Sequence, residues 1–262
     1  MDKRARHDYV TRDYRAWHEG ANLKYYRIKI RESDLAIGVD QQSYTDSLVS
    51  LSHQELARVR ADLEDYIRLQ PEFRTALEPL SLLAGAPDIV RIMSQAAWAA
   101  GVGPMAAVAG AISQRLGETL LEHCREVVVE NGGDIFLHSE SDRIIAVFAG
   151  ASKFTGKIGI KIKAGETPAG VCTSSGTVGP SLSFGRADAV VIKAASAALA
   201  DAAATAAANR VKTAGDLIKA IDLARDIKNI TGILAIKDDT MGAWGDIEVV
   251  PLDRRNKGES SK

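Results

Sequence analysis

Cysteine is scarce in this chain, aromatics make up only 5% of it, and no apolar run is long enough to span a membrane. The two cysteines, Cys124 and Cys172, stand far apart with no second thiol near either, which excludes a disulfide framework and a cysteine-built metal centre. A membrane helix needs about 20 continuous apolar residues, and none are found. The first twenty residues, MDKRARHDYVTRDYRAWHEG, carry charges with no apolar stretch behind them, so no secretory leader is expected. These absences together predict a reduced, cytoplasmic protein.

Charge of one sign is also lacking. With 33 Lys and Arg against 34 Asp and Glu, the net charge is −1, and no electrostatic case exists for nucleic acid or an anionic membrane as partner. There is no phosphate-binding P-loop, no nucleophile elbow and no Rossmann glycine fingerprint. His7, His18, His53, His123 and His138 fall at no metal-ligand spacing and read as structural or surface residues.

What remains is an ordinary globular composition, 46% apolar and 26% charged. The expected organisation is an N-terminal arm over 1–20, one α+β domain over 21–252 and a frayed tail over 253–262. YYRIKI (25–30) and LAIGVD (35–40) read as a hairpin. Ser52 and Glu55 form an S-x-x-E capping box ahead of a helix to Leu69. A connection holding a short helix leads to helices over 88–100 and 104–122, the second with Pro104 in its first turn. CREVVVENGGDIFLHS reads as strand, glycine turn, strand. Strands over 143–150, 157–164, 168–176 and 187–193 follow with short links. An alanine-rich helix comes next, then a second box, Thr213 and Asp216, opening a helix to Asp226. ITGILAIK and GDIEVVP close the pattern. This order predicts antiparallel sheet with helices packed on one face. VGP at 102–104 recurs at 178–180, each ahead of small residues, and suggests two similar halves.

Four segments carry candidate chemistry. In SAALADAAATAAANR (196–210), a spacing of four places Asp201, Thr205 and Asn209 on one side of a helix that is otherwise almost all alanine. Asp201 and Thr205 offer two hard oxygen ligands to one point, which suits Mg²⁺ completed by carbonyl, water or phosphate oxygens. Equally, Asp201 meets a backbone amide or a base such as Arg210. ENGGDIF (130–136) is a hairpin turn; a second reading sets its bare backbone beside a ligand, with Glu130 or Asp134 hydrogen-bonding a heterocycle or ribose. VCTSSGTVGPSLSFGRAD (171–188) gathers many donors on a flexible backbone, a composition that suits anions. Within and just beyond it, Cys172 is either a nucleophile or a buried thiol, and Arg186 and Lys193 are phosphate ligands or solvated charges. In VGPMAAVAGAISQRLGETL (102–120), Gly110 and Gly117 permit close helix packing, and a backbone carbonyl there faces either the core or a ligand.

Taken in order, AGVGPMAAVAGAI, VENGGDI, CTSSGTVGPSLSFGRADAVV and ALADAAATAAAN resemble the ApbE superfamily of flavin transferases, most closely its uncharacterised cytosolic branch. The resemblance runs from about Ala86 to Val211. It implies a duplicated T-fold-like α+β architecture, two pseudo-repeated halves, with the ligand in a cleft between them. It also implies FAD or FMN as ligand and Mg²⁺ on an A-D-x-x-x-T element that Ala200, Asp201 and Thr205 match. A backbone carbonyl at Val108 would complete the metal set. The transferases' N-x-G-G-D turn corresponds to Gly132, Gly133 and Asp134. Their T-S-G corresponds to Thr173, Ser175 and Gly176, with Ser174 as an extra residue.

The departures are as definite. Where the transferases carry A-K-G, this chain has Val108-Ala109-Gly110, and the lysine is gone. Their H-x-x-D-P-x-T-G hairpin has no counterpart in Thr177 to Arg186, which holds no histidine. Transfer of flavin to a protein threonine needs such acid–base and phosphate-binding groups. The expectation is therefore a nucleotide-like small-molecule ligand with Mg²⁺ and no protein flavinylation, phosphoryl or pyrophosphate chemistry being the reaction class that suits the metal corner. Members of this branch are associated with anaerobes and with sulfide assimilation toward homocysteine. That implies a rival expectation, a sulfur-handling accessory that meets partner proteins of that pathway through the cleft or Cys172. A homodimeric scaffold with an empty cleft is the third.

Overall fold

The computed structural model describes residues 22–176 and 185–252. The arm over 1–20, the tail and the second VGP lie outside these. β1 (Leu23–Ile30) and β2 (Ser33–Asp40) form the expected hairpin, paired from Leu23↔Asp40 to Ile30↔Ser33. Then come α1 (Asp46–Leu69), the short α2 (Glu72–Thr75) and α3 (Asp88–Ala100). A 3₁₀ turn over Pro104–Ala107 leads into α4 (Val108–Leu120). β3 (Val127–Asn131) and β4 (Asp134–His138) are the strands of the glycine hairpin. β5 (Arg143–Ala146), β6 (Ile158–Ile162), β7 (Ala169–Ser174) and β8 (Ala189–Ala194) precede α5 (Ala197–Asn209) and α6 (Leu217–Asp226). β9 (Ile230–Lys237), β10 (Thr240–Gly245) and β11 (Glu248–Pro251) complete the order.

Eight strands make one sheet in the order β1-β2-β3-β4-β7-β8-β9-β10, and every neighbouring pair is antiparallel. The architecture is the expected α+β. The helices lie on one face of this sheet. The opposite face carries a feature the pattern did not announce, a smaller sheet ordered β11-β6-β5. Alternation along each strand sorts the side chains between two cores. Val127, Val129, Phe136, Cys172, Val190 and Ile192 pack with the helices. Val128, Ile135, Leu137, Val171 and Val191 pack with Ile145, Ile160 and Ile162 of the small sheet.

α5 is the middle of the helical layer. Eleven of its thirteen residues are buried, which explains the alanines: a larger side chain would hold sheet and neighbouring helices apart. Ser196 caps it, accepting a hydrogen bond from the Leu199 N–H at 3.2 Å. Two glycines let neighbouring elements close on its first turn. A Cβ on Gly170 would stand 2.3 Å from the Ala197 Cα, and one on Gly110 2.3 Å from the Ala197 carbonyl oxygen.

Some expected boundaries move. α1 starts six residues before Ser52, and Thr45 is its cap, accepting from the Leu48 N–H. Ser52 is buried inside the helix, 2.7 Å from the Tyr26 hydroxyl and donating to the Leu48 carbonyl. Glu55 binds Arg58 instead of capping. The second box is real: Asp216 accepts from the Thr213 N–H at 2.9 Å and opens a turn into α6. β5 stops at Ala146, β11 belongs to the small sheet, and β10 was not expected at all. Among the described residues, no single helix is long and apolar enough to cross a membrane.

Candidate functional site

The ENGGD turn is first of all a hairpin. Asn131 pairs with Asp134, and Gly132 and Gly133 turn between them at φ 71° and 108°, the left-handed region glycine favours. The Gly133 N–H donates to Glu130 Oε1 at 2.9 Å. Alternation then decides where the carboxylates go. Glu130 faces the small-sheet side with Val128, whereas Asp134 shares the helix side with Phe136. On the next strand Cys172 is the cross-strand partner of Asp134 and also faces the helices.

Above this pair sit the first turn of α4 and the middle of α5. Asp201 Oδ2 accepts a hydrogen bond from the Gly110 N–H at 2.9 Å, and the Ala109 N–H also turns toward the carboxylate. α4 has no side-chain cap of its own, so Asp201 satisfies its orphan amides from another helix. Ser113 and Asn131 tie the parts together. The Ser113 hydroxyl lies 2.7 Å from the Ala109 carbonyl and 3.1 Å from that of Asp134. Asn131 Nδ2 donates to the Ala109 carbonyl at 3.3 Å. Neither residue stood out in the sequence, although Asn131 opens the N-G-G turn and Ser113 lies one helical turn beyond Gly110.

The electrostatics are those of a dry acidic corner. Burial pushes the Asp201 carboxyl up to about 7, against the pull of the Gly110 and Ala109 N–H groups. Asp134 is raised well above the usual carboxylate range, first by burial and then by the Asp201 charge. Its Oδ1 is buried without any hydrogen-bond partner. Cys172 is fully buried and donates to the Ala197 carbonyl at 3.2 Å. Burial and the two carboxylates raise its thiol pKa, which favours the buried-thiol alternative over the nucleophile: a thiolate here would be desolvated beside two negative charges.

The other candidates divide. Thr205 is half-buried one turn beyond Asp201 on α5. Val108 is the first residue of α4 and half-buried. Ser174 is buried at the end of β7, with Thr173, Ser175 and Gly176 half-buried beside it. Lys193 is neither a solvated charge nor a phosphate ligand: it is buried, 2.8 Å from Glu166 Oε2 and 3.0 Å from the Asp246 carbonyl. Arg186 is exposed. Asn209 is the last residue of α5, as its position suggested. A cavity of ≈ 270 Å³ opens on the opposite face of the sheet, lined by Tyr25, Arg27, Val128, Glu130 and Ile144 among others. It shares none of the buried corner's residues. Among the described residues, no three His, Cys, Asp or Glu side chains are grouped for a metal.

A long antiparallel sheet backed by helices is the architecture of the ApbE class of fold. The flavinyl transferase ApbE of Pseudomonas stutzeri matches with a TM-score of 0.58 at 11% identity, over 85% of this chain and 94% of its own. The ApbE protein of Thermotoga maritima gives 0.51 at 13%, over 84% and 96%. Within that class, the family model described as AbpE bacteria matches residues 15–231, and the chain belongs to this family. The UPF0280 protein MJ1526 of Methanocaldococcus jannaschii is 42% identical over 235 residues, 87% of this chain and 94% of the relative. The UPF0280 protein of Methanocella arvoryzae is 40% identical over 223 residues, covering 85% and 89%.

Proposed function

We propose that this protein binds a flavin- or nucleotide-type ligand together with Mg²⁺ at the corner where α4, α5 and the glycine hairpin meet, and that it does not flavinylate proteins. The observation that carries this reading is Asp201. A carboxylate placed in the interior among alanines, and answered by no cationic side chain among the described residues, is costly in its charged form unless a cation joins it. The donor set fits the metal. Mg²⁺ prefers hard oxygens and takes one or two carboxylates, leaving its remaining positions to water and phosphate. Asp201 and Thr205 would hold it. Bound there, Mg²⁺ would neutralise phosphate charge and act as a Lewis acid toward a phosphoryl oxygen.

The protein's own residues do the positioning. Gly110 and Ala109 orient the Asp201 carboxylate, and the Gly132-Gly133 turn and the backbone from Thr173 to Gly176 supply a surface without bulky side chains for a phosphate or ribose. The reading against protein flavinylation is supported by the missing A-K-G lysine and by the lack of a histidine in Thr177 to Arg186. The buried, protonated state of Cys172 counts against the sulfur-carrier alternative. The test is a fluorescence titration of FAD and FMN, in Mg²⁺ and in chelator, with wild type and Asp201→Ala. Binding should need Mg²⁺ and be lost in the variant. Equal binding in all four combinations, or none for either flavin, would sink the reading.

A further inference from the structure

Asp134 has no place in the Asp201–Thr205 metal pair, yet the fold invests several contacts in holding it beside them. Its register on β4 sets it opposite Cys172, facing the helical layer. The Ser113 hydroxyl reaches its backbone carbonyl. On the other side of the corner, Asp201 is fixed through Oδ2 by amides at the start of α4. Gly110 lets α4 close against α5, a Cβ there standing 2.8 Å from Asp201 Cβ, and the Asp201 charge acts in turn on Asp134 below. Within this frame Asp134 is 9% exposed, and its Oδ1 is the only buried carboxylate oxygen without a hydrogen bond among the described residues. Such an atom in a native interior requires an unseen partner.

The missing partner must be small, positive and rich in coordination. Two acidic side chains face one dry space, and among the described residues no Lys, Arg or His pairs with either. Without an ion, a water can take the hydrogen bond and a retained proton removes the charge; a divalent cation satisfies both needs at once and displaces that proton. The neighbouring thiol, held protonated, bonds the Ala197 carbonyl and the Asp134 carboxyl, so the ligands left for an ion are oxygens, which favour Mg²⁺ or Mn²⁺ over thiophilic ions.

We propose that Asp134 is a second carboxylate ligand, and that Asp134 and Asp201 together take up one divalent cation before any organic ligand arrives. This rests on the metal reading above and extends it: a pair of carboxylates makes the cation resident, whereas one carboxylate and a hydroxyl would hold it only with a phosphate's help.

The experiment is calorimetric titration of chelator-stripped protein with MnCl₂ and with MgCl₂, no flavin present, on wild type, Asp134→Asn, Asp201→Asn and Cys172→Ser. Wild type should bind one cation per chain. Asp134→Asn should weaken it at least about tenfold, the lower end of what even outer-shell changes cost a metal site. Cys172→Ser should leave it unchanged. Mn²⁺ bound equally by Asp134→Asn and wild type would overturn the proposal, as would a wild type that takes no cation without flavin. If Mg²⁺-dependent flavin binding persists in either of those cases, only the role of Asp134 fails; if flavin binding ignores Mg²⁺ altogether, the underlying reading fails with it. Asp134→Asn should melt in chelator at or above the wild-type temperature, since it removes a repulsion. Should it not fold, Asp134→Ser in the same titration decides between the two outcomes.

Discussion

Gly110→Ala is the sharpest perturbation the corner offers, because one methyl group meets backbone rather than a yielding side chain. The added Cβ would lie 2.3 Å from the Ala197 carbonyl oxygen and 2.8 Å from both its carbon and Asp201 Cβ, where ordinary contact begins at 3.4 Å. α4 must therefore retreat from α5 by roughly 1 Å, a movement both rigid helices resist. Overpacking of this kind costs about 1–3 kcal/mol. The retreat also stretches the Gly110 N–H bond to Asp201, and a hydrogen bond to a charged group contributes about 1.5–3 kcal/mol. Alanine returns about 1 kcal/mol through its better helix propensity. The balance is a loss of about 1.5–5 kcal/mol, which in a protein of this size lowers Tm by about 3–20 °C. Differential scanning calorimetry reads it directly. Gly165→Ala, with nothing within 4 Å, is the control and should stay within about 0.5 kcal/mol of wild type. If Gly110→Ala melts within about 1 °C of wild type, α4 does not touch α5 as described and the site's geometry is wrong.

Gly170→Ala tests the sheet side of the same helix: its Cβ would stand 2.3 Å from the Ala197 Cα, so a Tm loss of similar size is expected by the same assay. Thr213→Ala removes the cap residue of the turn before α6 and should cost about 1 kcal/mol in urea unfolding. In chelator, stability should fall as pH rises from about 4 toward 7. The folded carboxyl of Asp201, raised to about 7 with Asp134 and Cys172 facing it, keeps its proton where the unfolded chain has released it. The native state then binds more protons, and that advantage disappears above the folded value. Asp201→Asn should flatten this slope, and urea midpoints at pH 5 and 8 measure it.

Much of the frame was legible because its signals are local. The alternation over 25–40 gives a hairpin, and Thr213 with Asp216 marks a true helix start. The alanines of 196–210 marked a helix, although its burial at the middle of the layer comes from the sheet and helices around it. Ser52 misled because an S-x-x-E inside an amphipathic helix has the same letters as a box before one; only the pairing of Ser52 with Tyr26 tells them apart. β10 escaped because TMGAWG is mostly exposed and carries two glycines, and its extended form comes from pairing with β9. The candidate site divides along the same line. Asp201 drew notice from its own helix, and Asp134 from its turn. Their convergence, and the burial of Cys172 between them, depend on the β4–β7 register and on the Gly110 approach, and no short stretch of sequence encodes either.

The proposed site holds a cation at this corner and a flavin- or nucleotide-type ligand joined to it there. Crystals grown with MnCl₂ and FAD, measured for the anomalous scattering of manganese, test it most directly. One anomalous peak is expected in coordination contact with the Asp201 carboxylate, with a phosphate of the ligand bound to the same ion. Ligand density elsewhere with no manganese at Asp201 would contradict it.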